Sequence, residues 1–203
     1  MEPVERFKMW ARPLICPFDQ ILGYLPDGVS SFDIGCGTGY LLCRIAATKH
    51  PSALGGIEIR NQLIQFAQAR IRQVSSSVPL ALEIYDGHNL PEILCEYDYV
   101  WMVDVLHHIP IKEQRPIINA LADKMKAGAV LILKDIDAGR PVLCLANKLH
   151  DLVSAGEFGH ERSRDDAAMF LRESGLDIIK SGTRRMWVYP HYWYVCRKQK
   201  SFA

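Results

Sequence analysis

The sequence has no C-x-x-C pair, no long apolar run, no internal repeat and almost no net charge, and each absence removes a class of function. Its six cysteines, Cys16, Cys36, Cys43, Cys95, Cys144 and Cys196, are scattered along the chain. Neither a zinc knuckle nor a disulfide framework is indicated, so no metal is expected and a reducing cytoplasm fits best. No segment is apolar for long enough to span a bilayer, and the opening M-E-P-V-E-R-F-K-M-W carries acids and no apolar core, unlike a secretory signal. A formal net charge of +1 offers no broad attraction for a phosphate polymer, which makes nucleic acid an unexpected partner.

What is present is an ordinary globular composition: 203 residues, 49% apolar and 23% charged, enough for one domain with a sizeable core over 1–203. The most informative stretch is Ser31 to Tyr40, S-F-D-I-G-C-G-T-G-Y. A short apolar run ends in glycines and opens into L-L-C-R-I-A-A, which reads as strand, tight turn and helix start. Glycines let backbone approach a ligand closely, and the free N–H groups of the helix start favour an anionic group. Gly35, Gly37 and Gly39 follow Asp33 in the pattern G-x-G-x-G. The dinucleotide fingerprint wants its third glycine one position later, where Tyr40 stands.

Further along, strands and helices alternate. A short helix over Phe18 to Tyr24 precedes the glycine stretch, and Ala53 to Ile59 reads as a second strand ending in Glu58, about twenty residues past the loop. An acid at that strand end is placed to accept hydrogen bonds from ribose hydroxyls, and Ile59 could then pack against adenine. Asn61 is placed to cap the next helix, whose Leu63, Ile64, Ala67 and Ile71 share one face. Leu80 to Tyr85 alternates toward a third strand closed by Asp86 and Gly87, either a ligand contact or a turn. Tyr97 to Leu106 is the most apolar strand and belongs at the sheet centre. A helix over Pro110 to Met125 and a strand over Ala129 to Ile136 follow. Asp165 to Ser174 gives a last helix, and Leu176 to Ile179 with Val188 to Cys196 imply an antiparallel hairpin in which Pro190 tolerates only an edge or bulged position.

D-x-G-x-G-x-G at the end of the first strand closely resembles motif I of the class I S-adenosylmethionine (SAM)-dependent methyltransferases, and D-V-L-H-H-I-P at the end of the fourth resembles motif IV of the small-molecule type. M-K-A-G-A-V-L-I-L-K-D resembles the family's L-K-P-G-G-x-L, with Ala127 and Ala129 as departures in a turn. The resemblance implies an α/β fold, a doubly wound, Rossmann-like and mostly parallel seven-stranded sheet with a C-terminal antiparallel hairpin. It implies SAM as cofactor, with Asp33, Gly35, Gly37 and Gly39 around the methionine part and Glu58 and Ile59 at the ribose and adenine. Asp86 and Gly87 would meet the adenine amino group, and Asp104 and Val105 would lie against the cofactor.

Within one domain the expected parts are an N-terminal helical arm (1–29), a cofactor-binding core (30–137), a lid insertion (138–162) and a final helix with the hairpin (163–203). Phe7, Trp10 and Arg12 in the arm, and Arg140, His150 and His160 in the insertion, are either substrate contacts or packing. Methyl transfer to a phenol or acid benefits from a base near neutral pKa. Of His107, His108, His150, His160 and His191, the two to test first are His108 and His150. N-P-P-Y and D-P-P-Y, which mark amino methylation of bases or glutamine, are absent. The segment from Lys134 through L-C-L-A-N-K-L-H-D-L-V, with the late W-V-Y-P-H-Y, resembles small methyltransferases of bacterial aryl polyene pathways, which implies a phenolic or aryl-acyl acceptor, free or bound to a carrier protein. Two other functions stay open. One is a non-catalytic SAM-fold partner or assembly module. The other is an NAD-dependent oxidoreductase, opposed by the loop spacing and by a helix after the fourth strand that carries no Tyr-x-x-x-Lys pair.

Overall fold

The computed structural model describes Arg12, residues 15–139 and residues 160–199. The expected arm contacts Phe7 and Trp10, and Arg140 and His150 of the insertion, lie outside the described residues. In chain order the elements are α1 (Phe18–Leu22), β1 (Ser31–Ile34), α2 (Tyr40–Thr48), β2 (Leu54–Glu58), α3 (Asn61–Val74), β3 (Leu80–Ile84), β4 (Tyr99–Val103), α4 (Ile111–Lys124), β5 (Val130–Ile136), α5 (Arg164–Glu173), β6 (Leu176–Met186) and β7 (Tyr189–Lys198). Short 3-10 turns occupy Glu92–Glu96 and Leu106–His108.

The seven strands form one sheet in the order β3-β2-β1-β4-β5-β7-β6. Pairs among the first five are parallel, and β7 runs antiparallel to both β5 and β6. The chain winds outward from β1 through β2 to β3, then crosses back to β4 on the other side of β1. That reversal leaves a crevice at the carboxyl ends of β1 and β4, where open α/β sheets take their ligands. The glycine loop and the D-V-L-H-H segment therefore meet at the same place.

Strand periodicity of two divides the core between the faces. Val100, Met102, Leu131 and Leu133 pack with Ile118 and Leu121 of α4 and Phe170 and Leu171 of α5. Trp101, Val103, Val130 and Ile132 point the other way, against Leu42 and Ile45 of α2, Ile71 of α3 and Ile21 of α1. Burial on both faces is why these strands read as continuous apolar runs.

Three local expectations need correction. Asn61 is the first residue of α3, and Arg60 takes the cap position without a side-chain cap, since a guanidinium has no acceptor to offer; its own N–H donates to Glu58 Oε1 at 3.1 Å. β6 continues to Met186, well past Ile179: it is an edge strand with one face in solvent, so S-G-T-R-R carries no apolar run, yet it pairs with β7 up to the two-residue turn Trp187-Val188. Pro190 lies in β7, between β5 and β6, and its position is permitted because it stands one residue beyond the last β5–β7 register pair, Ile136 with His191. It keeps its carbonyl, which accepts from Asp137 N–H at 2.8 Å. Of the late aromatics, Tyr192, Trp193 and Tyr194 are core, and Trp187 at the hairpin tip is 76% exposed.

Gly39 begins α2 in the left-handed region (φ 72), and a Cβ there would stand 2.8 Å from Ala67 Cβ on α3. Gly39→Ala should cost about 2–4 kcal/mol, combining the backbone penalty with overpacking between α2 and α3. Urea unfolding of the ligand-free protein checks this; a loss below about 1 kcal/mol would mean that the two helices separate freely.

Candidate functional site

Each glycine of the loop has its own neighbour. Gly35 (φ 69) lies so close to β4's end that a Cβ would fall 2.7 Å from Val105 Cγ2. Gly37 (φ 52) is uncrowded, since a Cβ built there would meet Arg12 Nη1 at 3.7 Å and Gly35 O at 4.0 Å, ordinary contact distances. Its N–H donates to Glu58 Oε2 at 3.1 Å. Glu58 is 7% exposed, and its other oxygen accepts from Arg60 N–H at 3.1 Å and Arg60 Nε at 3.3 Å. This carboxylate thus ties the end of β2 to the glycine loop. Ile59, beside it, is 64% exposed, an unusual amount for an isoleucine at a strand end.

Asp33 borders a narrow opening beside the loop with Arg12, Phe18 and Val103. Burial pushes its carboxyl up to about 7, against the pull of the Arg12 guanidinium and with a further push from Glu58. Asp86, at the end of β3, is held in a turn: its oxygens accept from His88 N–H and Asn89 N–H, both at 2.7 Å, and from Asn89 Nδ2 at 2.9 Å. Those donors, Asn89 first, hold its pKa down at about 2. Gly87 follows at φ 85 with nothing around it. Tyr85 N–H donates to Glu58 O at 3.0 Å, which brings Asp86 to the same edge as Glu58.

At the end of β4, Asp104 adopts a left-handed backbone (φ 57) and pairs with Lys134, whose side chain is fully buried. Burial works to raise the Asp104 pKa, but the Lys134 ammonium and then Arg12 hold it well below the carboxylate range. Burial likewise opposes the Lys134 charge, and Asp104 more than offsets it. Neither member is expendable alone, since the other would remain a buried unpaired charge. Next to this pair, Asp135 binds His107 twice, through the backbone N–H at 3.1 Å and ring Nδ1 at 2.5 Å. Asp104, His107 and Asp135 bring possible metal-ligand atoms within 4.8 Å of one another, but the Lys134 ammonium already answers Asp104.

The two histidines expected near the acceptor differ. His107 is buried and structural, and His108 turns outward with its ring centroid 4.1 Å from that of His107. The surrounding protein, and then His107, lower the His108 pKa, so its ring is neutral at pH 7 although its outer edge reaches solvent. His160 lies on the surface, its N–H donating to His107 O at 2.7 Å. Gln114, fully buried, places its amide nitrogen within 3.0 Å of the Leu106, Ile109 and His160 carbonyls and accepts from Arg162 Nε at 2.5 Å. Sequence reasoning missed Gln114, Lys134 and Asp135; a charged or amide residue inside an otherwise apolar strand or helix face was the available signal.

Residues 32–131 match a family model described as a methyltransferase domain. The 27-O-demethylrifamycin SV methyltransferase of Amycolatopsis mediterranei is 30% identical over 119 residues, 58% of this chain and 43% of that protein. In structure, a chain of the complex between the Haloferax volcanii Trm112 methyltransferase activator and its methyltransferase superposes with a TM-score of 0.78 at 14% identity, covering 97% of this chain and 94% of that one. Magnesium protoporphyrin IX methyltransferase from Synechocystis, solved with bound S-adenosylhomocysteine (SAH), gives 0.71 at 21% identity over 96% and 94%. The structural likenesses establish the fold, and the family match covers the strands that build the crevice. This chain carries a class I SAM-dependent methyltransferase domain. It spans about half the length of the curated relatives it matches, 43% of one and 60% of another.

The methyltransferase domain has the donor and acceptor set that SAM requires. Glu58 is an anchored acceptor for hydroxyls, Ile59 is an exposed apolar surface beside it, and the Gly37 side of the loop is open to close approach. Arg12 adds a cation over the loop, the partner a carboxylate needs. No helix among the described residues is long and apolar enough to cross a membrane.

Asp33 makes a pH-dependent contribution to the stability of this domain. Its folded pKa of about 7 lies above the ordinary 3.8, so its support for the folded state is complete below about 3.8 and withdrawn as pH rises through 7. Asp33→Asn, which mimics the protonated acid, should therefore raise the thermal midpoint more at pH 8 than at pH 5. Equal shifts at the two pH values, measured without ligand, would place the Asp33 charge outside the buried environment described.

Proposed function

We propose that the chain transfers a methyl group from SAM to the hydroxyl or carboxyl oxygen of a small phenolic or aryl-acyl acceptor. The observation that carries this reading is the joint position of the Glu58-braced glycine loop and the outward-facing His108 on one crevice between β1 and β4. SAM, when bound, supplies a methyl group on a positively charged sulfur that leaves as a neutral thioether. Glu58 would accept from the ribose hydroxyls, Ile59 would cover the adenine, and Asp86 has remaining lone pairs for the adenine amino group. Arg12 would pair with the methionine carboxylate, with Asp33 and Gly37 lining the approach and Val105 supporting the loop from below. Asp104, paired with Lys134, keeps the β4 end in its left-handed turn and so aims His108.

Alignment of acceptor oxygen with methyl carbon supplies up to roughly 7–11 kcal/mol of the barrier reduction. His108, neutral at pH 7, can accept a hydrogen bond from a phenol and orient its oxygen for attack, while its pKa of about 4 makes it a weak base and sends the released proton to solvent. An aryl-acyl acceptor presented by a carrier protein would enter the same crevice. His150, the other histidine named from the sequence, lies outside the described residues.

Calorimetric titration with SAM, SAH and NAD tests the reading: the first two should bind and NAD should not. NAD binding alone would replace it with the oxidoreductase, and no binding at all would favour a non-catalytic module. Glu58→Ala should weaken SAM binding roughly 10- to 100-fold, through loss of a charged acceptor for two hydroxyls. An affinity unchanged from wild type would remove Glu58 from the cofactor site.

A further inference from the structure

Two strands beyond β4, along the same carboxyl edge, the described residues border an opening of about 300 Å3 between the end of β5, the start of α5 and the β6–β7 hairpin. Its size is at the lower end of the range of small-molecule pockets. Arg164, Arg184, Arg185 and His191 line it, and its acids are Asp137 and Asp165.

Both acids are engaged. Asp137 Oδ1 accepts from Gly139 N–H at 2.9 Å and Arg164 N–H at 3.2 Å, and Asp165 pairs with Arg164 Nε at 3.4 Å. The arginines are less so. Arg185 Nε donates to Trp187 O at 2.9 Å, which leaves the far end of its fork for another acceptor. The Arg184 side chain makes no hydrogen bond or ion pair among the described residues. His191 is 3% exposed, and neither ring nitrogen makes a hydrogen bond of ordinary geometry; Asp104 first, then the Ile15 backbone and Asp135, favour its protonated form, but burial and the Lys134 charge outweigh them. Three arginines against two aspartates leave one formal positive charge. That balance suits a monoanion rather than a phosphate dianion, and a guanidinium fork matches a carboxylate in shape.

We propose that this opening is the subsite for a single carboxylate carried by an acceptor that binds as the free acid, since an acyl group joined to a carrier protein has no carboxylate to offer. The inference rests on the methyltransferase reading for its position relative to the chemistry. β4, β5 and β7 are successive neighbours, so two inter-strand spacings separate the end of β4 from the subsite, about 10 Å. The acceptor then has its carboxylate about 10 Å from the oxygen that receives the methyl group. An aromatic ring plus a short unsaturated side chain bridges that span.

The test uses the full chain, 4-hydroxycinnamate and its neutral amide as probes, and inorganic phosphate as control, titrated with and without SAH. The acid should bind roughly 10-fold or more tightly than the amide, the scale of one charge-assisted hydrogen bond, and more tightly than phosphate. The double variant Arg184→Gln/Arg185→Gln should erase that preference while leaving SAH binding and the thermal midpoint as in wild type. Equal binding of acid and amide, no binding of the acid, tighter binding of phosphate, or a preference that survives the double variant would each overturn the proposal. SAH binding read in the same samples separates the two levels. SAH binding without acid preference defeats the subsite alone, and acid preference without SAH binding defeats the methyltransferase reading and leaves a carboxylate site.

Discussion

The contact between Gly35 and Val105 is the constraint on which the rest of the site depends. A Cβ at Gly35 would sit 2.7 Å from a Val105 methyl, closer than carbon atoms approach without displacement. Only because that position has no side chain can the loop after β1 close down on the end of β4. The parallel register of β1 with β4 brings the two ends level, and the missing side chain lets them touch. Glu58 completes the arrangement from the other side, since its carboxylate holds the loop through Gly37 N–H.

The carboxyl edge of the sheet concentrates charge that burial makes costly. Lys134 and Asp104 neutralise each other, and Asp135 is satisfied by His107. Asp33 and His191 are not balanced in this way. Burial drives the first toward its neutral acid and, with Lys134 adding, lowers the pKa of the second to about 3. One group therefore favours the folded state toward low pH and the other above the ordinary histidine value of 6.5. Buried titratable groups of opposite preference, gathered at one edge, are the electrostatic mark of a ligand-binding region.

Much of this was legible along the chain. The alternation of apolar runs and amphipathic segments marked five parallel strands, and Asp33, the three glycines and Glu58 stood at their ends as a loop and an acid that meet in space. β6 was not legible beyond Ile179, because an edge strand half in solvent has no continuous apolar pattern and is specified by its partner β7. Asp86 was readable as either a ligand contact or a turn because one carboxylate can serve both: three short hydrogen bonds make the turn and leave lone pairs over. The roles of His107 and His108 were inseparable in sequence, since one residue of offset decides which ring meets Asp135 and which faces out.

The sequence by itself determined the fold class, the order of the elements and the position of the glycine loop, because these follow from local periodicity and from glycine's freedom at positive φ. Only the tertiary structure decided which polar groups meet across distant segments: Lys134 with Asp104, Asp135 with His107, and Gln114 with the carbonyls of Leu106 and His160. Those pairings depend on strand order and register, which bring together side chains tens of residues apart. Nothing in the spacing of two residues along a chain says that they will share a buried charge.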